Sequence, residues 1–367
     1  MSWLRPEAVF DGECLRPGWG LRIENGQAAD LSDTPPENAR AVPGIIAPGF
    51  VDLQVNGGGG VLLNDDPTPD GLAAILDAHR ALGTVALLPT VITDGPEVLD
   101  AATDAAIAAR DLPGLLGLHL EGPHLSEAKR GTHAARHLAP WDGRMLDRID
   151  RLRAAGLAVM VTVAPEVVPP EAIAAMARTG AVVSIGHTNA DAATVQRAIE
   201  AGARAATHLF NAMSQMTARE PGAVGAVIGS RLAAGIICDG HHVADEMIAL
   251  ALRARPEPDT TFLVSDAMAT VGGPDRFRLY GKEITLRDGR LVNAEGALAG
   301  AHLCLAWALA RAVDAVGIDR QEALRMAITV PARVVGRPEL ARLQGRTLRD
   351  LVHLSPDLRT VAAVPAA

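Results

Sequence analysis

From residue 47 onward, short runs of β-type apolar residues alternate with Ala- and Leu-rich stretches in which Asp, Arg or Glu recur at helical spacing. That rhythm predicts successive βα units around a parallel sheet. Eight runs read as strands, at residues 46–55, 85–92, 115–121, 158–163, 181–187, 205–208, 233–238 and 262–266. Eight predicts a closed α/β barrel, the (β/α)8 TIM-like fold. Helical pattern is plain at 72–82, 192–201 and 303–316, where it would cover the outside of the barrel. Residues 282–292 predict two short strands about Asp288-Gly289, a hairpin signal that implies an inserted flap.

The two ends of the chain have a different texture. Residues 1–43 and 343–364 carry short apolar stretches punctuated by Gly, Pro and Asn, with no helical period. Neither end is large enough for a core of its own. Both are therefore expected to meet in one small β-sandwich domain, residues 1–46 with 338–367, beside a catalytic barrel at 47–337. The length of 367 residues suits that division, because a barrel alone takes roughly 250 residues.

Composition narrows the classes of function. Aromatic residues make up only 3% of a chain that is 49% hydrophobic, so the core must be built from Ala, Val, Leu and Ile. A formal net charge of −9 lacks the footprint of a nucleic-acid binder, and a small anionic ligand would need local positive groups. Cys14, Cys238 and Cys304 are odd in number and far apart, which opposes a disulfide framework and suits a reducing cytoplasm. No signal-like succession opens the chain, and no run approaches the roughly 20 apolar residues of a membrane helix. A soluble cytoplasmic protein without membrane partners is expected.

Three metal-capable side chains follow or close apolar runs: Glu121, His187 and His208. In a barrel the C-terminal strand ends converge on one face, so residues distant in sequence meet there. A carboxylate with two imidazoles suits a borderline divalent ion and leaves a coordination position for water. Asp266 occupies the same setting and offers a proton carrier. A lone strand-end histidine is more often a hydrogen-bonded structural residue. Two of them beside Glu and Asp point instead to metal-assisted hydrolysis.

An ordered series of motifs carries a resemblance over nearly the whole chain. It comprises Pro48-Gly49-Phe50-Val51-Asp52-Leu53-Gln54-Val55-Asn56-Gly57, His119-Leu120-Glu121-Gly122-Pro123, Lys129-Arg130-Gly131-Thr132-His133 and Gly186-His187-Thr188. Thr207-His208-Leu209-Phe210-Asn211-Ala212-Met213, Arg219-Glu220-Pro221-Gly222, Asp239-Gly240-His241-His242-Val243 and Ser265-Asp266-Ala267 complete it. In these segments the chain resembles the N-acetylglucosamine-6-phosphate deacetylases of the amidohydrolase superfamily.

The resemblance implies hydrolysis of N-acetyl-D-glucosamine 6-phosphate to D-glucosamine 6-phosphate and acetate by metal-activated water. It assigns the metal to Glu121, His187 and His208, and the proton transfers to Asp266 as base and then acid. His242 is expected against the substrate, His133 in a loop covering the sugar, and Arg219 with the N–H groups about Asn211 and Ala212 on the phosphate. Many relatives open the barrel with His-x-His and hold two metals, whereas Gln54 and Asn56 stand here, implying one divalent ion per subunit. Those two amides are expected to orient water or substrate, or to brace the first strand. Zinc is the first expectation for the ion, with iron, cobalt and manganese also accepting the ligand set. His119 is expected to support a ligand rather than bind metal, and His124 to have no part. A homodimer is the family expectation. Alternatives are an N-acetylgalactosamine 6-phosphate deacetylase, a related amidohydrolase on another amide, and a catalytically silent sugar-phosphate sensor.

Overall fold

The computed structural model describes residues 2–294, 296 and 298–365. Met1, Ala366 and Ala367, assigned to the small β-domain from sequence, lie outside the described residues. Eight strands pair in parallel in chain order: β1 (Phe50–Val55), β2 (Thr84–Ile92), β3 (Gly117–Glu121), β4 (Ala158–Val163), β5 (Val182–Ile185), β6 (Ala205–Ala206), β7 (Ala233–Ile236) and β8 (Thr261–Leu263). Just beyond β8 the ring closes onto β1. There the Asp266 N–H donates to Gln54 O at 3.0 Å and the Asn56 N–H donates to Ala267 O at 2.9 Å. Every residue of β1 to β4 is buried, which is why β2 and β4 read as near-continuous apolar runs, while β1 and β3 interleave polar side chains with apolar ones.

Helices α1 (Pro69–Arg80), α2 (Pro96–Ala108), α3 (Arg144–Ala154), α4 (Pro170–Arg178), α5 (Ala192–Glu200), α6 (Gly222–Ile228), α7 (Asp245–Ala254) and α8 (Leu305–Asp314) follow the strands in turn. Their starts are written locally. The Thr68 hydroxyl accepts the Gly71 N–H at α1, the Asp191 carboxylate accepts the Thr194 N–H at α5, and proline opens α1, α2 and α4. Each helix lays an apolar stripe on the barrel, such as Leu72, Ile75 and Leu76 of α1.

The run expected as one strand at 46–55 is two. Ile45–Pro48 pairs antiparallel with Leu351–Leu354 and parallel with Ala8–Phe10, while β1 begins only after Gly49. A Cβ at Gly49 would stand 2.2 Å from Val85 Cγ1, so glycine is needed where the chain passes between the two sheets. Both chain ends thus enter one five-stranded sheet. A four-stranded sheet, whose members include Ser2–Arg5 and Gly20–Glu24, lies beside it, and Leu4, Leu21, Ile23, Ile46, Leu343 and Leu351 share a separate core.

The flap after β8 is larger than expected. Strands β9 (Arg276–Leu279), β10 (Lys282–Arg287), β11 (Arg290–Val292) and β12 (Leu298–Ala301) form an antiparallel four-stranded sheet. The Asp288-Gly289 turn is as expected, with φ of +50° and +77° and Arg287 opposite Arg290. Strand β9 escaped sequence reading because Arg276 and Arg278 are exposed and only Leu279 is buried. Among the described residues no helix is long and apolar enough to cross a membrane.

Candidate active site

Glu121 is the last residue of β3, His187 and His208 stand two residues beyond β5 and β6, and Asp266 stands three beyond β8. At His187, His208 and Asp266 the backbone is left-handed, with φ of +47°, +32° and +49°. Non-glycine residues hold such angles at a cost of order 1–3 kcal/mol, and strain of this kind clusters at functional sites. Here it breaks each strand's direction where its functional side chain meets the others.

The three expected ligands form a tight triangle. His187 Nε2 and His208 Nε2 lie 3.3 and 3.2 Å from Glu121 Oε1, and 3.0 Å from each other. Tetrahedral coordination with bonds near 2.0–2.1 Å separates its ligand atoms by about 3.3 Å. The donor set therefore fits a divalent ion in spacing as well as in chemistry. His187 Nδ1 donates to Lys129 O at 2.8 Å, which leaves Nε2 as the lone-pair nitrogen facing Glu121. Burial alone would raise the Glu121 carboxyl, but the adjoining imidazoles of His187 and His208 outweigh it and hold the group well below the usual range. Burial likewise would lower His208, yet its bond to Glu121 raises it.

His133 also reaches this cluster. Donor atoms of Glu121, His133 and His187 all lie within 4.8 Å of one another, and the His133 and His187 rings meet edge-on at 4.3 Å. The His208 triangle is the tighter of the two. His133 Nδ1 is 2.8 Å from Thr93 Oγ1, and burial first, then the nearby His187, push its pKa down to about 3, so it stays neutral.

Gln54 and Asn56 turn their amide groups on carboxylates. Asn56 Nδ2 donates to Asp266 Oδ1 at 2.7 Å, while Gln54 Nε2 bridges Asp266 Oδ1 at 3.2 Å and Glu121 Oε1 at 3.1 Å. Asn56 lines the cavity with its buried Oδ1 free of hydrogen-bond partners, whereas Gln54 is not in the lining. Burial, then the Glu121 charge, raise the pKa of Asp266 against the lowering effects of His208 and Asn56.

A cavity of ≈180 Å³ opens over this cluster, and Asn211, Ala212, His133, His242, Leu298 and Gly300 are among the other residues of its walls. His242 Nδ1 donates to Asp239 Oδ2, a partner that sequence reasoning missed although the Asp-x-x-His spacing was visible in the motif. The Asn211 N–H, expected on a phosphate, donates instead to His208 O at 3.0 Å. Arg219 lies on an exposed segment outside the lining. His119 is buried beneath the site, its two ring nitrogens next to Leu53 O and Thr162 Oγ1 at 3.0 and 2.7 Å, and His124 packs against Trp141 away from the cavity.

A βα barrel with a carboxylate–imidazole donor set and a half-buried acid at its C-terminal mouth defines a metal-dependent hydrolase. No protein-family model matches the chain. An N-acetylgalactosamine-6-phosphate deacetylase of Shewanella sp. (strain ANA-3) is 42% identical over 327 residues, 88% of this chain and 82% of the relative. An N-acetylglucosamine-6-phosphate deacetylase of Haemophilus influenzae is 32% identical, covering 86% of this chain and 84% of its own. The crystal structure of N-acetylglucosamine-6-phosphate deacetylase from Pasteurella multocida superposes with a TM-score of 0.89 at 31% identity, over 98% of both chains. The chain belongs to this family of sugar-phosphate deacetylases, hydrolases that act on an amide C–N bond.

Proposed function

We propose that this chain removes the acetyl group from N-acetyl-D-glucosamine 6-phosphate, giving D-glucosamine 6-phosphate and acetate. The observation that carries this reading is the meeting of Glu121, His187 and His208 within 3.0–3.3 Å beside the half-buried Asp266. These three would hold one divalent ion, zinc in the first place, with iron, cobalt or manganese as substitutes. When bound, the ion supplies Lewis acidity, polarising the amide carbonyl and making water nucleophilic near neutral pH.

Asp266 carries the proton. Ionised, it takes one from the attacking water, and it then returns that proton to the departing amine nitrogen as the C–N bond breaks. The Asn56 and Gln54 amides hold its Oδ1 and keep it aimed. His242 stands in the cavity wall as a donor to the acyl or sugar oxygens, and neutral His133 covers the sugar. Asn211 and Ala212 receive the phosphate end, and Arg219 reaches it by folding its exposed segment over the bound ligand. The working form is taken as a cytoplasmic homodimer, which sedimentation would test.

A second reading, N-acetylgalactosamine 6-phosphate as the preferred sugar, is favoured by the 42% identical relative of that name. The two sugars differ in the orientation of one hydroxyl. Acetate release from both, measured in parallel on protein of known metal content, decides between them. Metal-replete protein that released acetate from neither would end the proposal.

A further inference from the structure

Beside the catalytic cavity lies a larger cleft, ≈500 Å³, between the 130–136 segment and the β9–β10 hairpin. Arg130, Arg136 and Lys282 line it over Tyr280 and Ile284, and among the described residues no carboxylate lines it. Gly131 and Thr132 belong to both walls, so the cleft and the cavity adjoin. Neither Arg136 nor Lys282 is paired with a carboxylate among the described residues.

Cations on a surface are usually only solvated charges. Three features set these apart. They face a concavity of the size that takes small ligands, about 300–1,000 Å³. Among the described residues they gather without acidic partners, in a chain of net charge −9. They are also tied to the active site: Arg136 lies over the Tyr280 ring at 5.6 Å, the Tyr280 hydroxyl donates to Thr93 O, and Thr93 Oγ1 holds His133 Nδ1. Arg130 Nη1 donates to His133 O at 3.0 Å from the other side. Asn211, Ala212 and His242 line the cavity but not the cleft, so the cationic cleft is separate from the expected 6-phosphate end.

We propose that this cleft extends the substrate site to take a second anionic group, a phosphate or carboxylate, carried elsewhere on the amino-sugar 6-phosphate. The proposal rests on the deacetylase reading of the neighbouring cavity. Its physical basis is charge-assisted binding by Arg130, Arg136 and Lys282 at a rim where solvent and salt still screen.

Calorimetry on metal-loaded Asp266→Asn protein would measure dissociation constants for three probes. They are N-acetylglucosamine 6-phosphate, N-acetylglucosamine 1,6-bisphosphate, and N-acetylmuramic acid 6-phosphate with its carboxylate on O3. At least one doubly anionic probe is expected to bind about tenfold tighter than the plain sugar phosphate, an advantage that fades at about 0.5 M salt. Adding Arg136→Glu and Lys282→Glu should abolish that advantage while moving the plain sugar by less than about threefold. A thermal melt confirms that the variants fold, and single Arg136→Gln and Lys282→Gln proteins repeat the comparison if the reversals do not. Equal affinity for all three probes, or a uniform loss across them on charge reversal, would overturn the cleft proposal alone. Failure of metal-loaded protein to bind the plain sugar phosphate would instead sink the deacetylase reading beneath it.

Discussion

The His242 imidazole donates from Nδ1 to Asp239 Oδ2 at 2.6 Å, and Asp239 Oδ1 accepts the His241 and His242 backbone N–H groups at 2.8 and 2.9 Å. Burial would raise this carboxyl, but the bonds from His242 outweigh it and hold the pKa at about 2, so Asp239 is ionised throughout the working range. It fixes the tautomer and orientation of the ring. Asp239→Asn is expected to lower kcat/KM by about ten- to hundredfold with metal content unchanged, as loss of such carboxylate partners does elsewhere. An unchanged kcat/KM would show that the pair is only structural.

Asp266 is caught between two influences, burial with the Glu121 charge on one side and the Asn56 amide on the other. Its pKa is raised, so the acid limb of kcat/KM is expected above the ordinary carboxyl range, with activity lost as pH falls and Asp266 takes up a proton. Asp266→Asn removes the proton carrier and should cost about 10²–10⁴ in kcat with the ion retained. Full turnover in that variant would remove the assignment.

The competing imidazoles, His208 and His133, can be separated by metal content. His208 closes the 3.0–3.3 Å triangle, whereas His133 is held by Thr93 and belongs to a wider cluster. His187→Ala and His208→Ala are therefore expected to lose the ion in elemental analysis. His133→Ala should keep it and lose turnover. The reverse result would move the site towards His133.

The barrel was legible because its strands are buried on both faces and its helices are not. The meeting of Glu121, His187, His208 and Asp266 at one mouth of the barrel was legible because each terminates or follows an apolar run. What sequence could not show was backbone hand: the left-handed φ at His187, His208 and Asp266 depends on neighbours rather than on residue type. Nor could it show how Gln54 spends its amide, since bracing carboxylates and binding substrate need the same chemistry. The break at Gly49 was hidden because both flanking segments are apolar and differ only in the sheet they join.

Arg219 is exposed in the structure, yet its guanidinium is the expected fork for the 6-phosphate. If its segment folds over the ligand, Arg219→Ala should raise KM for the sugar phosphate about tenfold or more with little change in kcat. N-acetylglucosamine without phosphate should hardly notice the change. Equal losses on both sugars would refute the clamp.

Asp52 is fully buried on β1, where its carboxylate accepts the Gln54 and Ser265 backbone N–H groups at 3.2–3.3 Å. Burial raises its pKa from 3.8 to about 7 against the lowering effect of those bonds. A group raised in the folded state contributes stability that is complete below its unfolded pKa and is lost as pH climbs through the folded one. Between pH 3.8 and about 7 the loss amounts to about 4 kcal/mol at most. Asp52→Asn has no such titration and keeps an oxygen for the same N–H groups. Its denaturation midpoint should therefore gain steadily on the parent chain as pH rises from about 4 to about 7 and then hold level. Parallel midpoint curves over that range would show that Asp52 is already ionised in the fold and that its hydrogen bonds outweigh its burial.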